Sequence, residues 1–272
     1  MKNRQTLYEV MQRKQSCLCV GLDPDPDRIP SVCGSGVQGM EAFCKAIVDE
    51  TAPYAVAFKP NLAFFEQYGA EGWSALERII AEMPADALVI ADAKRGDIGN
   101  TAKRYARAMF DALGAHAITV APYMGEDSVK PFMEDRPDTW AVVLALTSNP
   151  GAEDFEFHGT PPLYQRVLER CQTWGSPDQL MFVVGATRPE LLRQIRSMAP
   201  EYFFLVPGVG AQGGDLEEVL QAGWTDFGGL LINASRSILY AESGSGFAKA
   251  AGQEAHRMQQ LMSGYFQFPP RV

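Results

Sequence analysis

Histidine is scarce in this chain. Only His116, His158 and His256 occur among 272 residues, far apart in sequence, and no spacing suits a metal site. Paired cysteines are also missing. Cys17, Cys19, Cys33, Cys44 and Cys171 are odd in number and form no CxxC. That argues against a disulfide framework and for free thiols in a reducing cytoplasm. No apolar stretch approaches about 18 residues, so no membrane span is expected. The opening "MKNRQTLYEVMQRKQ" is too polar for a signal peptide. An excess of positive charge is lacking as well: 24 Lys and Arg face 33 Asp and Glu, a formal net charge of -9. Such a chain does not attract nucleic acid or anionic lipid as a whole. Any anion site must be a local cluster of cations or backbone N–H groups.

Linker-like, low-complexity and repeat segments are absent too, so residues 1–272 read as one domain. The composition is 46% hydrophobic and 21% charged, an ordinary globular balance. Short β-type runs alternate with helical patterns from end to end. The runs are "CLCVGLD" (17–23), "AVAFKP" (55–60), "ALVIADAK" (87–94), "HAITVAP" (116–122), "WAVVLALTS" (140–148), "LMFVVGA" (180–186), "YFFLVPG" (202–208) and "FGGLLIN" (227–233). Helical text follows each, at about 40–51, 62–83 with a break near Gly69, 100–113, 125–133, 161–174, 188–198, 215–222 and 246–262. Regular β–α alternation requires parallel strands with crossover helices. Eight units predict a (β/α)8 TIM barrel, for which roughly 250 residues is a routine size. A doubly wound open sheet is the alternative.

The polar residues gather at strand ends: Asp23, Lys59, Asp92 with Lys94, Ser148, Gly208 and Asn233. In barrel enzymes the chemistry lies at that face. "DAKRGD" is the densest cluster. Asp92 and Lys94 are two apart on a strand and face one side. Asp97 follows in the loop or at a helix start. The plain alternative is a salt bridge plus a helix cap. Lys59 closes the preceding strand, which would set it beside Asp92. An alternating array Lys59–Asp92–Lys94–Asp97 would keep each lysine protonated. It would set an ammonium against developing negative charge.

"PGVGAQGGD" (207–215) contains G-x-G-x-x-G at Gly208, Gly210 and Gly213. That pattern also opens dinucleotide folds, but a second copy at Gly34, Gly36 and Gly39 sits in an irregular loop. In a barrel the loops after strands seven and eight form the usual phosphate site. Arg236 in "NASRSI" (233–238) suits a phosphate dianion there. Ser148 and Asp23 are turn residues by default. The loop from Ser148 to about residue 160 has the length of a lid.

"DAKRGDIGNT" resembles the D-x-K-x-x-D-I signature of the orotidine 5′-phosphate decarboxylase family. "VGLDPD", "FKPN", "LTSNPGAEDF", "VVGATRPE", "PGVGAQGGD" and "NASRSI" resemble further segments of that family, in order, over nearly the whole chain. "KRGDIG" resembles its longer bacterial branch; other branches often carry Pro where Gly99 stands. The resemblance implies decarboxylation of orotidine 5′-monophosphate to uridine 5′-monophosphate without metal or organic cofactor. It implies that Lys94 donates the proton to C6 and that Asp92 faces the substrate carboxylate. Lys59 and Asp97 would complete the array. Asp23 would bind ribose, Ser148 the pyrimidine, and Gln212 and Arg236 the phosphate. Asp97 and Thr101 would reach the partner's site in a homodimer. Two rivals stand beside this reading: a metal-dependent decarboxylase or aldolase of sugar phosphates, and a barrel that binds phosphate without catalysis.

Overall fold

The computed structural model describes residues 3–185, 188–209 and 215–267. Among these, eight parallel strands close into a barrel in sequence order. They are β1 (Leu18–Leu22), β2 (Ala55–Pro60), β3 (Leu88–Arg95), β4 (Ala117–Val120), β5 (Trp140–Leu146), β6 (Leu180–Val184), β7 (Phe203–Pro207) and β8 (Leu230–Ala234). Closure is direct, with Leu18 of β1 opposite Ile232 of β8. An open doubly wound sheet has two edges, so this closure removes that alternative. β1, β2, β6 and β8 are buried at every position. Strands covered on both faces read as continuous apolar runs, which explains why periodicity alone marks them weakly.

The outer ring comprises α1 (Arg4–Lys14), α2 (Gly36–Thr51), α3 (Ala63–Glu66), α4 (Gly69–Ala81), α5 (Gly99–Ala106), α6 (Glu126–Val129), α7 (Ala152–Phe155), α8 (Leu163–Cys171), α9 (Pro189–Met198), α10 (Leu216–Gly223), α11 (Arg236–Leu239) and α12 (Phe247–Gln267). The expected break near Gly69 falls between α3 and α4, and Gly69 adopts φ +60°. The helix expected over 100–113 ends as α-helix at Ala106 and continues with π-helical bonding over Arg107–Ala112.

Helix α1 precedes the first strand and was not among the expected elements. Its signals are in the sequence. Asn3 and Thr6 form a capping box, and Leu7, Val10 and Met11 are buried along one face. The helix ties down the N-terminal ends of the strands. Arg4 binds Glu201 and Asp178, Arg13 binds Asp86, and Lys14 reaches the carbonyls of Ala52 and Ala55. With that end of the barrel covered, the opposite end is left for chemistry.

Candidate active site

At the C-terminal mouth, Lys59 lies at the end of β2 and Asp92 and Lys94 near the end of β3. Lys59 Nζ lies 2.6 Å from Asp92 Oδ2, and Lys94 Nζ lies 2.6 Å from Asp92 Oδ1. One carboxylate therefore holds two ammonium groups, one on each oxygen. The two cations differ in access. Side-chain exposure is 7% for Lys59 and 8% for Asp92, but 52% for Lys94. Lys59 is a built-in counter-charge; Lys94 is the one a ligand can touch.

Burial alone would raise the Asp92 pKa. The charges of Lys59 and Lys94, with their hydrogen bonds, outweigh it and hold Asp92 at about 2. Burial likewise opposes the Lys59 charge, but Asp92 and Asp23 raise its pKa above the ordinary lysine value. Asp92 and Lys59 thus stay ionised near neutral pH, and two lysines around one carboxylate suit an anionic ligand.

The backbone here departs from a plain strand. Lys94 adopts φ +46°, a left-handed conformation that costs a non-glycine residue about 1–3 kcal/mol. The register between β3 and β4 also shifts between Ala91 and Arg95. The bulge re-aims the lysine, as bulges beside active sites do. Asp92 and Lys94 thus meet through an irregular turn of the chain rather than through simple two-residue alternation.

The other expected residues divide. Asp23 follows β1; its Oδ2 accepts a short hydrogen bond from Ser235 Oγ, while Oδ1 is buried with no partner among the described residues. Ser148 lies two residues beyond β5. Its backbone passes so close to Gly185 that a Cβ there would come within 2.8 Å of the Ser148 nitrogen. Arg236 opens α11 and is exposed, with no side-chain hydrogen bond or ion pair to the described residues. Asp97 is not brought into the array of its own chain. Its Oδ1 accepts from the Ile98 N–H at 2.8 Å, and the helix cap is Ile98, without a side-chain bond. The capping role considered for Asp97 is therefore absent: the carboxylate turns to the neighbouring amide and misses the first turn of α5. Thr101 is exposed on α5. Gln212, Gly210 and Gly213 lie outside the described residues.

Two contributors escaped the sequence reading. Glu156 accepts from the Thr147 N–H at 2.7 Å and from its hydroxyl at 2.8 Å, fastening the 148–155 loop at both ends. Thr119, in β4, touches both Asp92 and Lys94. Its signal was a lone polar residue inside the apolar run "AITV".

Residues 16–251 match the profile described as the orotidine 5′-phosphate decarboxylase / HUMPS family. The chain belongs to this family. A Parabacteroides distasonis member named orotidine 5′-phosphate decarboxylase is 51% identical over 269 residues, covering 97% of this chain and 96% of that protein. A Christiangramia forsetii protein of the same name is 52% identical over 265 residues, 95% of this chain and 97% of that one. Among solved structures, Leishmania donovani OMP decarboxylase superposes with a TM-score of 0.82 at 40% identity, covering 96% of this chain and 98% of that chain. The family profile begins just after α1 and ends inside α12, whereas these decarboxylase relatives extend over almost the full length.

Proposed function

We propose that this protein converts orotidine 5′-monophosphate to uridine 5′-monophosphate and CO2. The observation that carries the reading is Asp92 clamped between one buried and one exposed lysine at the barrel mouth. The C6–CO2 bond breaks with its electron pair left on C6, in the ring plane. That pair cannot delocalise into the ring carbonyls, so a positioned cation must stabilise it. Lys94 is the accessible cation, and its Nζ delivers the proton that C6 gains. Asp92 keeps Lys94 oriented and faces the departing carboxylate, with Lys59 holding Asp92 ionised.

Asp23 Oδ1, without a donor among the described residues, suits a ribose hydroxyl, since a buried acceptor gains from a ligand's donor. Arg236, with no side-chain partner among the described residues, has donors for a phosphate. Ser148, behind Gly185, faces the pyrimidine, and Gln212 shares the phosphate. Remote phosphate binding then supports events at C6.

A second copy completes the site. Ile98, Tyr123, Met124 and Phe155 are exposed apolar side chains on loops and a short helix after β3, β4 and β5. Ile98 adjoins Asp97 in sequence and Met124 reaches Gly96, and exposed apolar side chains of this kind mark interfaces. The partner would take Asp97 and Thr101 into its own site. All five cysteines are free thiols, which suits a reducing cytoplasm.

The metal-dependent sister reaction is less compatible with the donor set, because each Asp92 oxygen already carries an ammonium. The deciding experiment follows orotidine 5′-monophosphate by ultraviolet absorbance in excess EDTA. Rapid conversion to uridine 5′-monophosphate is expected. Conversion only after added Mg2+ would favour the sister reaction; binding without turnover would favour a non-catalytic barrel.

A further inference from the structure

Strand β4 carries one polar side chain, Thr119, and buries it to 1% exposure. It lies opposite the bulge of β3. Ala91 pairs with Ile118 and Arg95 with Val120, so four steps along β3 run against two along β4. Inside that gap the regular ladder cannot supply an acceptor for the Lys94 N–H. Thr119 supplies one: Lys94 N–H donates to its Oγ1 at 2.9 Å. The same hydroxyl donates to Asp92 Oδ1 at 3.0 Å.

The polarity of this relay is determined. A backbone N–H only donates and an ionised carboxylate only accepts. The single hydroxyl proton must therefore point at Asp92, and a lone pair at Lys94. One side chain thus fixes the left-handed backbone of Lys94 and the rotamer of the carboxylate that receives both ammonium groups. Beyond the bulge, Ala121 N–H donates to the Arg95 carbonyl at 2.9 Å and the ladder resumes.

We propose that Thr119 is a positioning residue for the proton transfer, acting through Lys94 and Asp92 rather than on the substrate. The inference rests on the reading of Lys94 as proton donor. The hydroxyl is the functional part: the side chain's shape alone would fill the barrel layer equally well as valine.

The test compares Thr119→Val, which keeps the shape and removes the relay, with Thr119→Ser, which keeps the relay. For Thr119→Val, kcat is expected to fall on the order of a hundredfold, the effect of displacing a reacting group by about 1 Å. KM should change by less than about threefold, because ground-state contacts are untouched. Thr119→Ser should stay within about threefold of wild type. A Thr119→Val enzyme within about threefold of the wild-type kcat overturns the proposal. So does Thr119→Ser falling as far as Thr119→Val. If Thr119→Val shows no cooperative melt, Thr119→Ala takes its place under the same criteria, having neither donor nor acceptor. An inert wild-type protein would defeat the decarboxylase reading itself. An active wild type with an unaffected valine variant defeats this inference alone.

Discussion

Lys94 carries the sharpest expectation among single residues. In the proposed mechanism its ammonium is both the charge beside C6 and the proton source, so Lys94→Ala should nearly abolish turnover, with kcat at least about a thousandfold lower. Circular dichroism should remain native, because the side chain is half exposed. A variant retaining most of its activity would remove Lys94 from the mechanism. Arg196 makes the opposite case, a buried cation without chemistry. Its guanidinium donates to the carbonyls of Gly223, Ala199, Tyr202 and Gly229 and lies 3.7 Å over the Phe204 ring. Arg196→Leu removes a donor from each of four carbonyls, of which Gly229 and Ala199 keep a backbone donor from Phe204 and Tyr202, so urea unfolding should show a loss of about 2–3 kcal/mol. Arg196→Lys should not restore it, since one ammonium cannot span that fork. The type of each residue was plain in the sequence; which cation faces solvent and which is locked inside was not.

At the scale of elements, helix α1 and the β3–β4 pair each give a measurable consequence. The Asn3 side chain accepts from the Thr6 N–H at 3.0 Å and caps α1. Asn3→Ala should cost about 1 kcal/mol in a melt, with activity little changed because α1 lies at the far end of the barrel. His116 sits just before β4, and its Nδ1 accepts from the Val89 N–H at 3.0 Å. Burial lowers its pKa from 6.5 to about 4. Between those values the unfolded chain binds a proton that the folded chain refuses, so stability falls as pH drops through that window. The loss amounts to as much as about 3 kcal/mol by pH 4. Asp92, held at about 2, adds a further loss only at lower pH. His116→Gln should flatten the slope between pH 6.5 and 4; an unchanged slope would place the coupling elsewhere. Strand order and most helix positions were legible because each unit repeats one apolar rhythm. Helix α1 leaves a faint mark in the sequence because only Leu7, Val10 and Met11 are buried along it.

For the whole molecule, the sharing of Asp97 between copies is the decisive expectation. Lys94→Ala and Asp97→Ala proteins should each be nearly inactive. Mixed under subunit exchange, they should regain about a quarter of wild-type activity, the statistical share of sites that combine both intact residues in a symmetric dimer. No recovery, with exchange shown by sedimentation or labelling, would return Asp97 to its own chain's site. The local Asp97–Ile98 bond and the exposed apolar side chains beside it are the reasons for expecting recovery.

By itself the sequence determined the barrel, the strand ends that carry polar groups, and the family signature around Asp92, Lys94 and Asp97. These follow from alternation and motif, which are properties of neighbours along the chain. Only the tertiary structure decided that Lys59 and Lys94 share one carboxylate on opposite oxygens. It alone revealed the left-handed bend at Lys94, the Thr119 hydroxyl in the gap of the ladder, and Asp97 bonded to the neighbouring Ile98 amide. Those features depend on register between strands. A bulge of two residues moves a side chain by ångströms, and nothing in the local sequence records which neighbour will meet it.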